Sequence, residues 1–248
     1  MKLPARTRAA VLRRIEAMGV RTAERYWSIV PPDLARRLRP RVARVGDALL
    51  TILPASGSLR MNRVIGLGHR GRASEAMVDE IIGRYRTARI ARFSVLLGPG
   101  PQGKAIGEWL LKRGFERHEG HMLMLRDARA RVPGANAGCR VVRATPRHAP
   151  AIARILEETF GLPVSRRGWA MAAIEKRTYD YFVAMVGRTP VGVGAARVDG
   201  SLAWLGAGAT LTRWRRHGVH AALIAARLRS AARRGCRMRA TSRAPTRT

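Results

Sequence analysis

The hydrophobic pattern of this chain changes period repeatedly along its length. Val11, Ile15, Met18 and Val20 recur near helical spacing, which predicts a helix between Thr7 and Leu38 that Pro31-Pro32 stops. Met61 to Gly68 reads as a strand, and Met77, Val78, Ile81, Ile82 and Tyr85 then mark one face of a helix near Ser74 to Arg86. A strand from Arg92 to Leu97, a Gly/Pro turn, a helix from about Lys104 to Arg113 closed by Gly114, and a strand from Gly120 to Leu125 follow. Arg126 to Gly138 is polar, rich in Arg, Ala and Gly, contains Pro133, and is the best linker candidate.

The pattern then restarts. Cys139 to Ala144 predicts a short strand, and Thr145-Pro146 places a capping hydroxyl before a proline at the first helical position. Ala149, Ile152, Ile155, Leu156 and Phe160 form the apolar face of that helix, with Gly161 as its stop. Tyr181 to Val186, the turn Gly187-Arg188-Thr189-Pro190 and Val191 to Val198 predict a hairpin; Asp199-Gly200 turns the chain into a third strand, Ser201 to Leu211. The last helix runs from about Val219 to Arg234, with Val219, Ala222, Leu223, Ala226 and Leu228 on one face and Gly235 after it.

Strands alternating with helices predict an α/β (α+β) protein of 248 residues, divided into a domain at 1–127, a linker at 128–138 and a domain at 139–248. No apolar run approaches the roughly 18 residues of a membrane span, and the first residues lack an apolar signal core, so a cytoplasmic protein without membrane contact is expected. Cys139 and Cys236 form no C-x-x-C pair, which predicts neither a metal site nor a disulfide framework. The formal net charge of +32 is unusual and raises nucleic acid as a partner. Lysine stands only at positions 2, 104, 112 and 176, so arginine supplies 48 − 4 = 44 of the basic residues, scattered through every segment. Scatter, with only 5% aromatics, fits a compositional bias toward arginine better than a docking stripe for nucleic acid.

Candidate chemistry concentrates where the third strand of the second half meets the last helix. Thr210, Leu211 and Thr212 leave the strand, Arg213 to His217 form a basic turn, and Gly218 opens a helix whose first N–H groups have no intrahelical partner. A phosphate there would meet backbone N–H donors and the positive end of the helix dipole, with close approach permitted at Gly218. Here the sequence resembles the GCN5-related N-acetyltransferase family, whose cofactor turn follows [Gln/Arg]-x-x-Gly-x-[Gly/Ala] and falls on Arg215-x-x-Gly218-x-His220. Element order supports the resemblance from Cys139 to Cys236. It implies a mixed, mostly antiparallel sheet flanked by helices, with acetyl-CoA as co-substrate. The pantetheine arm would lie beside the strand ending at Thr210-Leu211-Thr212, and the pyrophosphate would rest on Arg216, His217, Gly218, Val219, His220 and Ala221, next to Arg215. His220 departs from the small-residue position, and Arg216 stands where many members have glycine.

The resemblance further implies direct attack of a small-molecule or peptide amine on the thioester, with a backbone N–H near Leu211 polarising the carbonyl. Glu157, Glu158 and His217 are the candidate catalytic groups, with His220 beside them. The acceptor pocket would use Gly161 to Ser165 and the helix around Trp169. Many members use a tyrosine after the cofactor helix as acid, and none occurs here after Tyr181. The final dozen residues lack an apolar run, so no closing strand is expected from them, and the second domain is expected to be truncated or frame-shifted near Cys236. A relic that only binds acyl-CoA and a basic nucleic-acid-binding protein are the alternative readings.

Two further stretches complete the picture. Gly98-Pro99-Gly100-Pro101-Gln102-Gly103-Lys104-Ala105 imitates a phosphate loop, but two prolines lack N–H groups and Ala105 lacks a hydroxyl, so a plain strand-to-helix turn is expected. Trp109 to Phe115 and the strand through Leu125 are similar to the closing helix, Gly-Phe turn and last strand of the same acetyltransferase fold. The first half is thus read as a degenerate copy without a cofactor turn.

Overall fold

The computed structural model describes residues 5–98, 101–118, 122–127, 138–160, 167–177, 179–236 and 238–243. They divide into two compact units, Met1–His118 and Glu119–Thr248.

In the first unit, α1 (Ala5–Ser28) and α2 (Pro32–Leu38) precede a four-stranded sheet ordered β1-β2-β3-β4. The strands are β1 (Arg41–Val45), β2 (Ala48–Ile52), β3 (Arg63–Ile65) and β4 (Ser94–Val95), and only β3 and β4 run parallel. The hairpin β1–β2 was not predicted. Its first strand is masked by exposed arginines, and its second is buried at every position, so neither shows the alternation of a half-buried strand.

Successive strand residues face opposite ways, and β2 uses both faces. Leu49 and Ile65 pack with Val20 and Ala23 of α1, while Leu50 and Val64 pack with Val78 and Ile81 of α3 (Glu75–Thr87) and Ile106 and Leu110 of α4 (Pro101–Leu111). The predicted face of α3 is therefore its core face. Ser74 caps it by accepting the Met77 N–H at 3.3 Å. Tyr85 donates to the Thr51 carbonyl at 3.0 Å and stacks on Phe93 with ring centroids 3.9 Å apart. The expected start of α4 at Lys104 moves to Pro101, a proline being tolerated in a first helical turn.

The loop between β3 and α3 is held by two side chains. The Asp47 carboxylate accepts N–H bonds from Gly68 (2.9 Å), Arg70 (2.7 Å) and Gly71 (3.2 Å), while Gln102 donates to the Gly68 and Gly71 carbonyls. Burial works to raise the Asp47 pKa, but the three backbone donors and nearby His69 outweigh it and leave the pKa below the usual carboxylate value. A depressed carboxylate pKa contributes stability above the unfolded value, which disappears as pH falls through the folded one. Asp47→Asn is therefore expected to destabilise this unit by about 2 kcal/mol at neutral pH, the scale of a charge-assisted hydrogen bond left unmade. The deficit should shrink below about pH 4. Urea unfolding at pH 7 and pH 3.5 checks both.

The second unit is built on a six-stranded sheet ordered β5-β10-β9-β8-β7-β6. Its strands are β5 (Met122–Asp127), β6 (Arg140–Arg143), β7 (Asp180–Val186), β8 (Thr189–Asp199), β9 (Leu202–Thr210) and β10 (Met238–Arg243). All neighbours are antiparallel except β9 and β10. The sheet is mixed and mostly antiparallel, as expected.

Two expectations are corrected here. The strand expected at Gly120–Leu125 belongs to the second unit, because β5 pairs along β10, so the division falls at 118/119 and not at 127/128. The expected linker lies outside the described residues except for Gly138. The tail after Cys236, expected to supply no strand, forms β10 between β9 and β5. Its backbone is hydrogen-bonded along both edges, and this pairing does not require an apolar run.

Helices α5 (Ala149–Phe160) and α7 (Val219–Arg233) both pack on β8 and β9, and Val191 to Ala196 are buried throughout, so the sheet is covered on both faces. Val219 and Leu223 of α7 press on Gly192, while Ile152, Ala153 and Ile155 are the buried residues of α5 beyond its first position. Thr145 is the N-cap residue of a single 3-10 turn, Pro146–His148, that leads into α5, and its N–H donates to His148 Nδ1 at 3.0 Å. Helix α6 (Arg167–Glu175) brings Trp169 into the core, fully buried. Asp180 pairs with both Arg143 and Arg234, tying β7 to β6 and to the C-terminal end of α7.

Candidate functional site

The turn between β9 and α7 has the geometry of an anion site. After β9 a 3-10 turn, Thr212–Trp214, leads to Arg215 in extended conformation, then Arg216 with φ +65° and Gly218 with φ 72° and ψ −3°. Left-handed residues spaced in this way curl the backbone so that successive N–H groups converge on a concavity. Gly218 is the N-cap of α7, so no capping side chain covers the first-turn amides of Val219, His220 and Ala221, and no acidic residue stands in that turn. Arg213, Arg215 and Arg216 are exposed around it. Arg216, non-glycine in a left-handed conformation, carries a strain of about 1 kcal/mol that the turn sustains.

The parallel register of β9 with β10 ends at Leu205↔Thr241, although β9 continues to Thr210 and β10 to Arg243. Among the described residues the edge of β9 from Gly206 to Thr210 has no strand partner on the β10 side, and it leads to the α7 turn. Just past the end of that pairing β9 bulges: Val193 pairs with Ala209 and Ala195 with Gly206, so Ala207 and Gly208 oppose Gly194 alone. Ala207 accordingly has φ +46°.

A cleft of about 440 Å³ lies at the end of β9, lined by Arg154 and Glu158 of α5 and by Leu211, Thr212 and Arg213. Glu158 is exposed and is the carboxylate among these lining residues. Its neighbour Glu157 is not among these lining residues, and Glu157 Oε1 is buried with no hydrogen-bond partner among the described residues. Thr210 Oγ1 and Trp214 Nε1, on either side of Leu211, are likewise buried with no hydrogen-bond partner among the described residues.

The structure brings Thr210 to Ala221 and Glu158 into one region, while Gly161 to Ser165 lie outside the described residues. The Leu211 N–H is not available as an oxyanion donor, because it donates to the Val191 carbonyl at 3.0 Å. His217 Nδ1 donates to the Arg215 carbonyl at 2.7 Å, which leaves Nε2 as the basic nitrogen of a neutral ring, exposed beside Trp214. His220 covers Gly208: a Cβ at Gly208 would come within 2.9 Å of His220 Cε1. The small-residue departure at position 220 is thus matched by a missing side chain on β9.

One residue of this region was missed in the sequence. Arg227 sits on the buried face of α7, only 2% exposed, and burial pushes its pKa down to about 10. Read by period alone, an arginine among alanines belongs on the solvent side. The signal that could have found it is the glycine content of β8 and β9, since glycine inside a strand marks close approach by a bulky group. A Cβ at Gly194 would meet Arg227 Cζ at 2.8 Å.

No family model matches the sequence, and no curated protein matches it. Among solved structures the chain is similar to a GCN5-related N-acetyltransferase from Kribbella flavida, at 14% identity over 94% of this chain and 86% of that one, with a TM-score of 0.61. It is also similar to a tandem GNAT protein from the clavulanic acid biosynthesis pathway, at 16% identity over 84% and 74%, TM-score 0.57. A third likeness is to a GCN5-related N-acetyltransferase from Sphaerobacter thermophilus, at 18% identity over 82% and 73%, TM-score 0.56. The fold of this chain is the acyl-CoA N-acyltransferase fold of the GCN5-related enzymes. No helix among the described residues is long and apolar enough to cross a membrane.

Proposed function

We propose that this protein is an acetyl-CoA-dependent N-acetyltransferase whose second unit binds the cofactor. The observation that carries the reading is the continuity of three features along one path. An uncapped, arginine-flanked helix start lies at one end, a strand edge with no strand partner among the described residues leads to it, and a cleft with one carboxylate among its lining residues lies at the end of that strand. Coenzyme A needs these in the same order. Its pyrophosphate takes the N–H groups of Gly218 to Ala221, and its two pantetheine amides pair with the edge of β9 in the manner of an added strand. The thioester then reaches the region of the bulge.

In the reaction the neutral amine nitrogen attacks the thioester carbonyl carbon, the C–S bond breaks, and CoA leaves as thiolate, which takes the proton that the nitrogen sheds as the amide forms. Glu158 takes the proton that the ammonium must lose before attack, directly or through one water. The acceptor is a small-molecule or peptide amine. In the first unit the comparable strand-to-helix loop is occupied by the carboxylate of Asp47, and we infer that the two units are a tandem pair in which only the second holds cofactor.

The test is release of free thiol from acetyl-CoA in the presence of a panel of amines. The expected result is amine-dependent thiol release with an acetylated product of matching mass. Saturable acetyl-CoA binding without turnover on any amine would favour the relic reading. Binding to DNA or RNA with a steep salt dependence, and none to acetyl-CoA, would favour the nucleic-acid reading.

A further inference from the structure

Arg227 is a buried cation with no described carboxylate beside it, and its hydrogen bonds have an unusual address. Nη1 donates to the carbonyls of Ala195 at 3.3 Å and Gly206 at 3.1 Å, and Nε donates to the Leu223 carbonyl of its own helix at 3.0 Å. Ala195 and Gly206 are the pair at which the β8–β9 register slips, and Gly206 is the first residue of β9 beyond the end of its pairing with β10. One guanidinium nitrogen therefore bridges the two strands at the bulge. Its other terminal nitrogen, Nη2, comes within 3.7 Å of where a Cβ on Gly208 would stand. Gly194 and Gly208 leave the space that the guanidinium needs.

A buried arginine is costly unless its donors are used and its charge has work to do. The carbonyls freed by a bulge explain the donors. The charge lies under the stretch Gly206 to Gly208, which on the acyl-CoA reading is where the thioester carbonyl arrives and where negative charge builds on oxygen during attack. We propose that Arg227 is a positioning residue for the acyl group: it clamps the bulge in β9 into the shape that receives the thioester carbonyl, and it makes that notch electropositive. This rests on the function proposed above and goes beyond it, since it assigns recognition of the acyl carbonyl to a residue of α7 outside the phosphate turn.

The experiment compares three ligands by calorimetry on the full chain: CoA, acetyl-CoA, and S-ethyl-CoA, the thioether that lacks only the carbonyl oxygen. Wild-type protein is expected to bind acetyl-CoA at least fivefold more tightly than S-ethyl-CoA. Arg227→Met, similar in length but unable to donate, is expected to bring that ratio to about one while leaving the affinity for CoA within threefold. A purely packing role would lower the melting temperature and leave the ratio unchanged, which overturns the proposal. Should Arg227→Met fail to fold, Arg227→Gln carries the same test, being neutral yet able to donate to one carbonyl; its ratio is expected to fall at least threefold, and an unchanged ratio again overturns the proposal. Wild-type binding of CoA with no preference for acetyl-CoA over the thioether refutes this inference alone. Failure of wild-type protein to bind any of the three removes the functional reading and this inference with it.

Discussion

Gly218→Trp is expected to abolish measurable acetyl-CoA binding, a loss of at least a hundredfold, while the fold persists. Two effects act together. Gly218 has φ 72°, a conformation that costs an L-residue with a side chain roughly 1–2 kcal/mol. The indole would also occupy the approach to the first-turn amides of α7, so the pyrophosphate would lose hydrogen bonds to N–H groups that no capping side chain replaces. A hundredfold corresponds to about 2.8 kcal/mol, within reach of two charge-assisted hydrogen bonds. Arg215→Ala and Arg216→Ala should each weaken binding by less than tenfold, more so at low salt, because exposed cations act through a screened field. Calorimetric titration of the three variants checks the ranking, and Gly218→Trp binding within threefold of wild type would remove the phosphate turn from the account.

Glu158→Gln is expected to lower kcat by about 10²–10³ on whichever amine proves to be an acceptor, leaving the KM for acetyl-CoA within threefold. Position is the reason: Glu158 lines the cleft with Leu211 and Thr212, whereas Glu157 is turned so that one of its oxygens is buried. Glu157→Gln should therefore leave turnover within about threefold and change thermal stability instead. Steady-state kinetics on both variants separates the two carboxylates. Equal losses, or a larger loss at Glu157, would reassign the base.

What the sequence disclosed depended on how local the governing physics was. The strand, basic turn and helix proposed to hold the phosphates were legible as elements because their requirements are local: a strand, arginines, a glycine and an amphipathic helix in succession. Helix α3 was legible for the same reason, with Val78, Ile81 and Tyr85 on one face. The hairpin β1–β2 was not, since Ala48 to Ile52 are buried on both faces and lose the two-residue period. β10 was unreadable because a strand hydrogen-bonded on both sides does not depend on side-chain hydropathy, and its partner β5 lies more than a hundred residues earlier in the chain. The same distance misplaced the division between the units. The adjacency of Glu157 and Glu158 hid their different surroundings, which only the packing of α5 distinguishes. Arg227 was invisible to periodicity, although Gly194 and Gly208 recorded its presence on the strands that it touches.

The most direct measurement is the melting temperature of the full chain with and without acetyl-CoA, paired with a calorimetric count of bound cofactor. At a hundredfold excess over the dissociation constant, binding to the folded state alone contributes about 2.7 kcal/mol, equivalent to roughly 5–10 °C for a chain of this size. The account predicts such a shift, its loss in Gly218→Trp, and one cofactor per chain. An unchanged melting temperature at millimolar acetyl-CoA would contradict it, as would two cofactors per chain for the assignment of binding to the second unit alone.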